Sequence, residues 1–444
     1  MRLLGLKTFR HGVHPPELKD ETSHLAIRQF PFAPVLAVPL SQHIGNSAIP
    51  TVVEGQQVTR GQMIAKPDGF MSVAMHAPAS GIVKRITLMP GITGQMIPGI
   101  FIEPYPGSTQ EIMDGDPCTV DASPDEIITG IQHAGVVGLG GAGFPTHVKL
   151  KIPEGKYVDT LIINGVECEP YLTTDHRVML EQSEDVYAGI RYLLKLSGAK
   201  RVIVGIEANK PDAVEALRIT APTDIDLSVE MLRVKYPQGA EKMLITALLD
   251  REVPSGALPI DVHAMCCNVA TAAEIGRLLP QGRGIQERVV TITGPAVRDK
   301  GNYRVPIGTP LRFLLEHVGV EPEFTRVFLG GPMMGQAASS LDLVITKGTS
   351  GVVAFNETEA ERTHRQVFPC IRCGYCVDAC PVFLDPSSLG LLARNEEHER
   401  MANDFNLMDC FECGSCSFVC PAHIPLVHQF RTAKAAVRKA GATK

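Results

Sequence analysis

Short apolar runs bounded by turn residues, separated by stretches of helical spacing, fill the middle of the chain. Thr160-Leu-Ile-Ile-Asn164 and Arg201-Val-Ile-Val-Gly-Ile206 are continuous hydrophobic runs that read as buried parallel strands, with helical segments between them. A helix-like stretch from Pro124 to Ala134 precedes them. This alternation predicts a Rossmann-like α/β sheet. In such a sheet ligands sit beyond the carboxyl ends of the strands, where Asn164, Glu167 and Glu169 fall. Residues 30 to 105 instead alternate short strands with turns. Residues 286 to 355 are strand-rich, with Val289–Thr293 and Leu343–Thr346 around a helical Leu311–Val318. Further on, Leu389, Leu391, Leu392, Met401 and Phe405 recur at roughly helical spacing and predict one or two helices.

At 444 residues the chain exceeds one core, and usual domain sizes predict roughly three to four units. Hydrophobic residues at 44% and charged residues at 20% suit chains with sizeable cores. A net charge of -6, from 42 Lys+Arg against 48 Asp+Glu, gives no global attraction for nucleic acid. The long uncharged run from Ile127 to Val148 is broken by Gly135, Gly138, Gly140, Gly141, Gly143 and Pro145, so no membrane span is expected. Met1 to Arg10 lacks the apolar stretch of a secretory signal, and the chain is expected to stay in the cytosol.

Twelve cysteines in a reducing compartment point to metal binding or catalysis rather than disulfides. Cys370-Ile-Arg-Cys373-Gly-Tyr-Cys376-Val-Asp-Ala-Cys380-Pro381 is the C-x2-C-x2-C-x3-C-P run of bacterial ferredoxins, and it recurs at Cys410, Cys413, Cys416, Cys420 and Pro421. In such pairs three thiolates of a run bind one [4Fe-4S] cluster and the fourth crosses to the other. Cys370, Cys373, Cys376 and Cys420 are therefore assigned to one cluster, and Cys410, Cys413, Cys416 and Cys380 to the second. Zinc is the competing reading, but a tetrahedral ion has no use for this third and fourth cysteine spacing. Cys118, Cys168, Cys266 and Cys267 are scattered and read as small buried residues.

Gly138-Leu-Gly-Gly-Ala-Gly-Phe-Pro-Thr-His-Val-Lys149 is glycine-dense and follows the predicted helix. Glycines let backbone N–H groups approach a phosphate closely. Together with Asn164-Gly-Val-Glu-Cys-Glu-Pro170, Tyr236-Pro-Gln-Gly-Ala-Glu241 and Asn268-Val-Ala-Thr271, this loop resembles the flavin domain of the respiratory complex I NADH-binding subunit. Over its full length the chain is more similar still to the C-subunit family of the Rnf complex, in which two cluster runs follow the flavin domain. The resemblance implies that Gly138, Gly140, Gly141, Lys149, Asn164, Glu167, Tyr236, Gly239, Asn268 and Thr271 hold FMN. It also implies that Phe144, Glu169 and Glu241 face the dinucleotide NAD(H). Leu139 stands where the complex I pattern has arginine, and Val166 and Ala240 stand at acidic positions.

Residues 30 to 105 resemble the barrel-sandwich of lipoyl and biotinyl carriers, with Phe70-Met-Ser-Val73 where a carrier has its modified lysine. No prosthetic group can be attached there, so a structural or docking module is expected. The strand-rich segment resembles the β-grasp element that links flavin and cluster domains in the same family. The expected fold is thus multidomain α/β, divided as an N-terminal barrel-sandwich (lipoyl-like) module at 1–118 and a Rossmann-like FMN/NADH-binding domain at 119–284. A β-grasp domain at 285–356 and a helical two-[4Fe-4S] ferredoxin domain with a basic tail at 357–444 complete it. Met333 and Met334 read as turn packing. Arg431, Lys434, Arg438, Lys439 and Lys444 form a solvated helix face or a contact for anionic lipid or an acidic membrane protein.

The family resemblance implies a peripheral subunit of an ion-translocating ferredoxin:NAD oxidoreductase on the cytoplasmic face of the inner membrane. Its implied partners are the other Rnf subunits, namely the membrane ones and a ferredoxin-like cluster protein, then ferredoxin indirectly, and NADH. Two alternatives remain at this level: an NADH-dependent cobalamin reductase of a microcompartment, and an electron-transfer adaptor that binds no dinucleotide.

Overall fold

Four parallel strands carry the flavin-type domain, in the order Ala264–Asn268, Thr160–Gly165, Arg201–Glu207, Leu227–Leu232. Thr160–Gly165 lies inside this sheet, which is why its sequence is apolar without alternation. The chain moves from this strand to neighbours on both sides, so the sheet has its topological switch point between Thr160–Gly165 and Ala264–Asn268. Asn164 and Asn268 are registered partners at that point. The computed structural model describes every residue except 1, 4, 142, 322–323, 357–365 and 442–444.

Local chemistry explains the helices that flank the switch point. Ser123 and Glu126 form a reciprocal capping box on helix Pro124–His133, with Pro124 at its first turn. Gly135, at φ +73, then turns the chain away. Asn268 ends its strand and caps the next helix, Val269–Leu278, by accepting from the Thr271 N–H at 3.2 Å. That helix packs against Ser183–Ser197 at close range, and a Cβ on Gly189 would lie 1.8 Å from the Ala272 carbonyl oxygen.

The N-terminal module is built from a four-stranded sheet, Leu36–Pro39, Met96–Pro104, Gly81–Pro90 and Gln57–Val58, and a three-stranded one, Ile49–Pro50, Met63–Lys66 and Met75–His76. Its expected span of 1–118 begins with strands that serve other sheets. Leu6–Lys7 lies beside Leu227–Leu232 at the edge of the flavin-type sheet, and Ile27–Gln29 pairs with Gly301–Pro306 of the β-grasp sheet. The first thirty residues therefore stitch the domains together, which short strands without strong periodicity do not announce.

The lysine-free tip of this module has a job of its own. The Phe70 carbonyl lies 2.7 Å from His147 Nε2, the Phe70 and His147 rings meet edge to face at 5.1 Å, and Lys151 sits over the Phe70 ring. Gln132 donates to the carbonyls of Gly69 and Ser72, both at 2.9 Å. The tip thus braces both helices that flank the glycine loop.

The β-grasp sheet runs Gln336–Ala337, Phe324–Leu329, Gly351–Asn356, Glu287–Thr293, Gly301–Pro306, Ile27–Gln29, with helix Leu311–Val318 packed on its core. Leu343–Thr346, expected as a strand, is irregular, with only an isolated bridge between Pro310 and Val344. Buried Leu343 and Ile345 still anchor it, but its backbone bonds go to the turn around Gly308–Leu311 rather than to a ladder. Past the undescribed 357–365, where the expected domain boundary falls, helices Pro386–Arg394, His398–Asn403 and Leu426–Gly441 pack around a small core. No helix of the described residues is long and apolar enough to cross a membrane.

Candidate functional site: a flavin loop joined to two cysteine clusters

Gly138 to Gly141 lies over the switch point. A Cβ on Gly140 would come within 2.7 Å of Asn268 Nδ2, whereas one on Gly141 would meet nothing within 4 Å, so the loop is pressed on Asn268 and open beyond it. The Leu139 N–H donates to Thr271 Oγ1 at 3.0 Å, and the Gly138 N–H donates to the Phe144 carbonyl at 2.8 Å. Asn268 also donates to Asp175 Oδ2 at 2.7 Å. Burial, together with the nearby Glu167, pushes the Asp175 carboxyl up to about 7. Asn164 donates to the Gly239 carbonyl at 2.9 Å and accepts from the Val166 N–H, fixing both turns at the carboxyl edge of the sheet.

Lys149 pairs with Glu241 at the mouth, both partly exposed. Desolvation opposes the ammonium, but Glu241 overcomes it and holds Lys149 above its ordinary value. Gly138, Gly140, Gly141, Asn268 and Thr271 are thereby brought together, with Asn164 registered beside Asn268. This arrangement fits a phosphate-bearing flavin: at Gly140 a side chain would press on Asn268, and at Gly141 the loop is open.

Three assigned residues have other partners. Buried Glu167 accepts from Thr174 Oγ1 at 2.9 Å and from the Asp175 N–H at 3.0 Å, capping helix Thr174–Glu181. Tyr236, 1% exposed, donates its hydroxyl to the Cys413 carbonyl at 2.7 Å. Gly239 donates its N–H to Cys168 Sγ at 3.3 Å. The proposed dinucleotide residues are turned to separate neighbours. Glu241 meets Lys149, Phe144 stays half-buried in the loop, and Glu169 accepts from the N–H groups of Met333 and Met334 at 3.0 and 2.8 Å. Burial raises the Glu169 carboxyl despite these donors.

Sequence reasoning overlooks several groups that build this region. Lys19 Nζ donates to the carbonyls of Glu167, Glu169 and Leu172, at 2.9, 2.8 and 2.5 Å, and so fixes that turn. Arg288, on a β-grasp strand, donates to the Leu139 carbonyl at 2.7 Å. A cation from another domain thus reaches the backbone of position 139. Met333 and Met334 act through their backbone, which sequence cannot flag. Ser415 is the legible omission, because it replaces Tyr375 of the first run.

The fourth cysteine of the first run lies with three cysteines of the second. Cys380 lines one hollow with Cys410, Cys413 and Cys416, together with Phe411, Gly414, Ser415 and Phe430. Cys376 lies within electrostatic range of Cys373 and Cys420. The first set is mostly buried, while Cys370 and Cys373 are exposed. Among the described residues no three His, Cys, Asp or Glu side chains could hold a single metal ion. Cys266 and Cys267 are free and occupy successive, oppositely facing positions of one buried strand. In the basic tail, Arg431 and Lys434 fold back on Glu412 at 3.0 and 3.1 Å, and Lys444 lies outside the described residues.

Four family models match the chain in succession. Residues 7–105 match the RnfC barrel sandwich hybrid domain and 131–277 the Nuo51 FMN-binding domain. Residues 289–337 match the SLBB domain and 366–424 the 4Fe-4S dicluster domain. The chain is 41% identical, over 98% of its length and 95% of the relative, to the C subunit of the proton-translocating ferredoxin:NAD(+) oxidoreductase complex of Clostridium ljungdahlii. It belongs to the RnfC family. A second member, the C subunit of the Na(+)-translocating ferredoxin:NAD(+) oxidoreductase complex of Acetobacterium woodii, is 39% identical over 96% of each chain. The RnfC relative from Pseudomonas aeruginosa, named as part of an ion-translocating oxidoreductase complex, is 39% identical over 98% of this chain but is longer, with 56% of it covered. Among solved structures, an NAD+-reducing [NiFe]-hydrogenase in the air-oxidized state shares the fold at a TM-score of 0.53 and 19% identity, covering 72% of this chain and 62% of that one. Membership in the RnfC family carries the multidomain order, the FMN domain and the two-cluster domain with it.

Proposed function

We propose that this chain is the electron-transferring RnfC component of a membrane-bound ion-translocating ferredoxin:NAD oxidoreductase, passing electrons between NAD(H), FMN and two [4Fe-4S] clusters. The observation that carries this is the bond from Tyr236 to the Cys413 carbonyl, which joins the flavin-type domain directly to a cluster-binding loop. Bound FMN supplies exchange of a hydride's electron pair on one side and single electrons on the other, and the clusters carry one electron each.

The protein's part is placement. Gly138, Gly140, Gly141, Asn164, Asn268 and Thr271 shape the flavin cradle, with Lys149 as its cation. Glu167 orients the helix behind that cradle, while Tyr236 and Gly239 hold its wall against the cysteine loop. Phe144, Glu169 and Glu241 are the proposed dinucleotide face, and Glu241 becomes available when Lys149 turns to phosphate. Cys380, Cys410, Cys413 and Cys416 hold the inner cluster and Cys370, Cys373, Cys376 and Cys420 the outer one. Ile371 and Tyr375, 69% and 57% exposed, surround the outer set and offer an apolar face to a one-electron partner.

The proposed assembly places the chain on the cytoplasmic face of the inner membrane, attached through membrane subunits that carry the ion. A ferredoxin-like cluster protein of the same complex is the proposed contact of the outer set, linking ferredoxin indirectly. Support comes from the family membership and from the absence of a membrane-crossing helix among the described residues. Anaerobic addition of NADH to the purified, reconstituted chain tests the reading: flavin absorbance bleaches and cluster electron paramagnetic resonance (EPR) signals appear. Flavin that stays oxidised with NADH would assign the chain to the adaptor class instead.

A further inference from the structure

The two cysteine runs are alike in backbone and unlike in the groups that face them. Arg372 and Glu412 occupy matching left-handed positions at φ 57 and 63, followed by Gly374 and Gly414 at φ 82 and 80. The loops therefore turn the same way, and any difference between the sites comes from side chains. Where the first run has Tyr375, 57% exposed, the second has Ser415, which is fully buried with its hydroxyl 3.4 Å from Cys413 Sγ. At the spacing from the fourth cysteine where the first run has exposed Arg394, the second has Lys434, 5% exposed, which donates to the Cys410 carbonyl. The Tyr236 hydroxyl adds a third donor, at the Cys413 carbonyl.

We propose that Ser415, Lys434 and Tyr236 raise the reduction potential of the cluster held by Cys380, Cys410, Cys413 and Cys416, so that an electron is retained on the flavin side. The inference rests on the two-cluster reading. Reduction adds one electron, from the flavin or from the outer cluster, and makes the ligand set more negative by one charge. The Ser415 hydroxyl accepts from the Cys413 thiol in this structure; once that sulfur is a thiolate ligand the hydroxyl turns donor to it, and with the buried Lys434 ammonium on the Cys410 carbonyl it stabilises the added charge. Glu412 does not cancel the ammonium, because its carboxylate is shared between Lys434 at 3.1 Å and Arg431 at 3.0 Å. Of Lys434, Arg431 and Glu412 one positive charge is left over, while the Asp409 carboxylate beside Cys410 is turned to the Ser255 hydroxyl. The outer set has water to stabilise the same charge, with Cys370 and Cys373 exposed; in the buried inner set, where desolvation opposes reduction, these donors take the place of water.

The functional consequence is a stepped path. An electron that leaves the flavin-type domain meets first a buried site that its donors make easier to reduce, which limits its return to the flavin while the outer partner is absent. The residues act through the ligands and are positioning groups, not catalytic ones.

The test is the midpoint potential of each cluster, by EPR at poised potentials, in the purified chain and in Ser415→Ala and Lys434→Met. A water-soluble lanthanide relaxation agent identifies the outer cluster by broadening its signal. Each substitution is expected to lower the inner midpoint and leave the outer one in place, while Ser415→Thr and Lys434→Arg restore most of the value. An unchanged inner midpoint in both Ser415→Ala and Lys434→Met, or equal shifts of both clusters, would overturn the proposal. Iron and sulfide contents short of two clusters in the unsubstituted chain would instead overturn the underlying two-cluster reading.

Discussion

The Tyr236 hydroxyl reaches the Cys413 carbonyl oxygen at 2.7 Å, from a side chain that is almost completely buried. Around it, Val13, Ala379 and Cys413 form one apolar cluster, with Cys168 and Met333 packed against it. Segments far apart in sequence meet at this tyrosine: the N-terminal strand region, the flavin-type domain, the β-grasp turn and both cysteine runs. Removing the hydroxyl leaves a buried carbonyl without its donor, a cost of about 1 kcal/mol. Tyr236→Phe is expected to slow cluster reduction by NADH more than it lowers flavin content, as measured by stopped-flow absorbance beside extracted flavin. Equal losses in both would return Tyr236 to a flavin-holding role alone.

Lys149 is the proposed cation of the flavin cradle, and in the structure it pairs with Glu241. Lys149→Ala is expected to weaken FMN retention roughly tenfold, the lower range for a lost hydrogen bond to a charged group. Equilibrium dialysis of the apoprotein with FMN reads this directly. Unchanged affinity would remove Lys149 from the phosphate site.

Gly140→Ala tests the cradle by volume rather than charge. The added methyl would lie 2.7 Å from Asn268 Nδ2, so either the loop lifts or Asn268 leaves Asp175 and the Thr271 N–H. FMN content should fall severalfold while iron content stays full. Gly141→Ala, which meets nothing within 4 Å, shows from the same assay whether the open side of the loop is occupied by flavin.

Much of this organisation is legible in the sequence. The strand core at Thr160–Gly165, the capping box at Ser123 and the paired cysteine runs are local patterns, and each is set by burial, capping or ligand spacing within a few residues. What stays hidden is relational. Lys19 sits in an unremarkable polar stretch yet holds the turn that presents Glu167 and Glu169, and Arg288 reaches Leu139 from a strand of another domain. The N-terminal strands escape for the same reason, since two or three residues carry no period. Motifs point to Tyr236 and Glu169, but their partners, Cys413 and the Met333–Met334 backbone, depend on domain packing that no single segment encodes.

Lys347 offers a pH test of that packing. Its ammonium donates to the Ala74 and Gly135 carbonyls at 2.7 and 2.8 Å, bridging the N-terminal module to the turn before the glycine loop. Burial pulls it down to about 7 from an ordinary 10.5. Neighbouring His43 and His76 are lowered to about 4 and 3, first by burial and then by Lys347, so they are neutral across this window. Because the folded value lies below the unfolded one, the unfolded chain holds more protons between about 7 and 10.5, and stability rises with pH there. Below about 7 both states are protonated and this slope vanishes. Lys347→Met is expected to flatten the rise in denaturant midpoint; parallel profiles for the two proteins would contradict the assignment.

Electrons are proposed to cross from the flavin-type domain to the cluster of Cys380, Cys410, Cys413 and Cys416 before reaching the exposed one. Rapid freeze-quench EPR after mixing the purified chain with NADH tests it most directly. The signal insensitive to a water-soluble relaxation agent is expected to appear first, and the broadened, outer-cluster signal to follow. Appearance of the outer signal first, or flavin bleaching with neither cluster reduced, would contradict it.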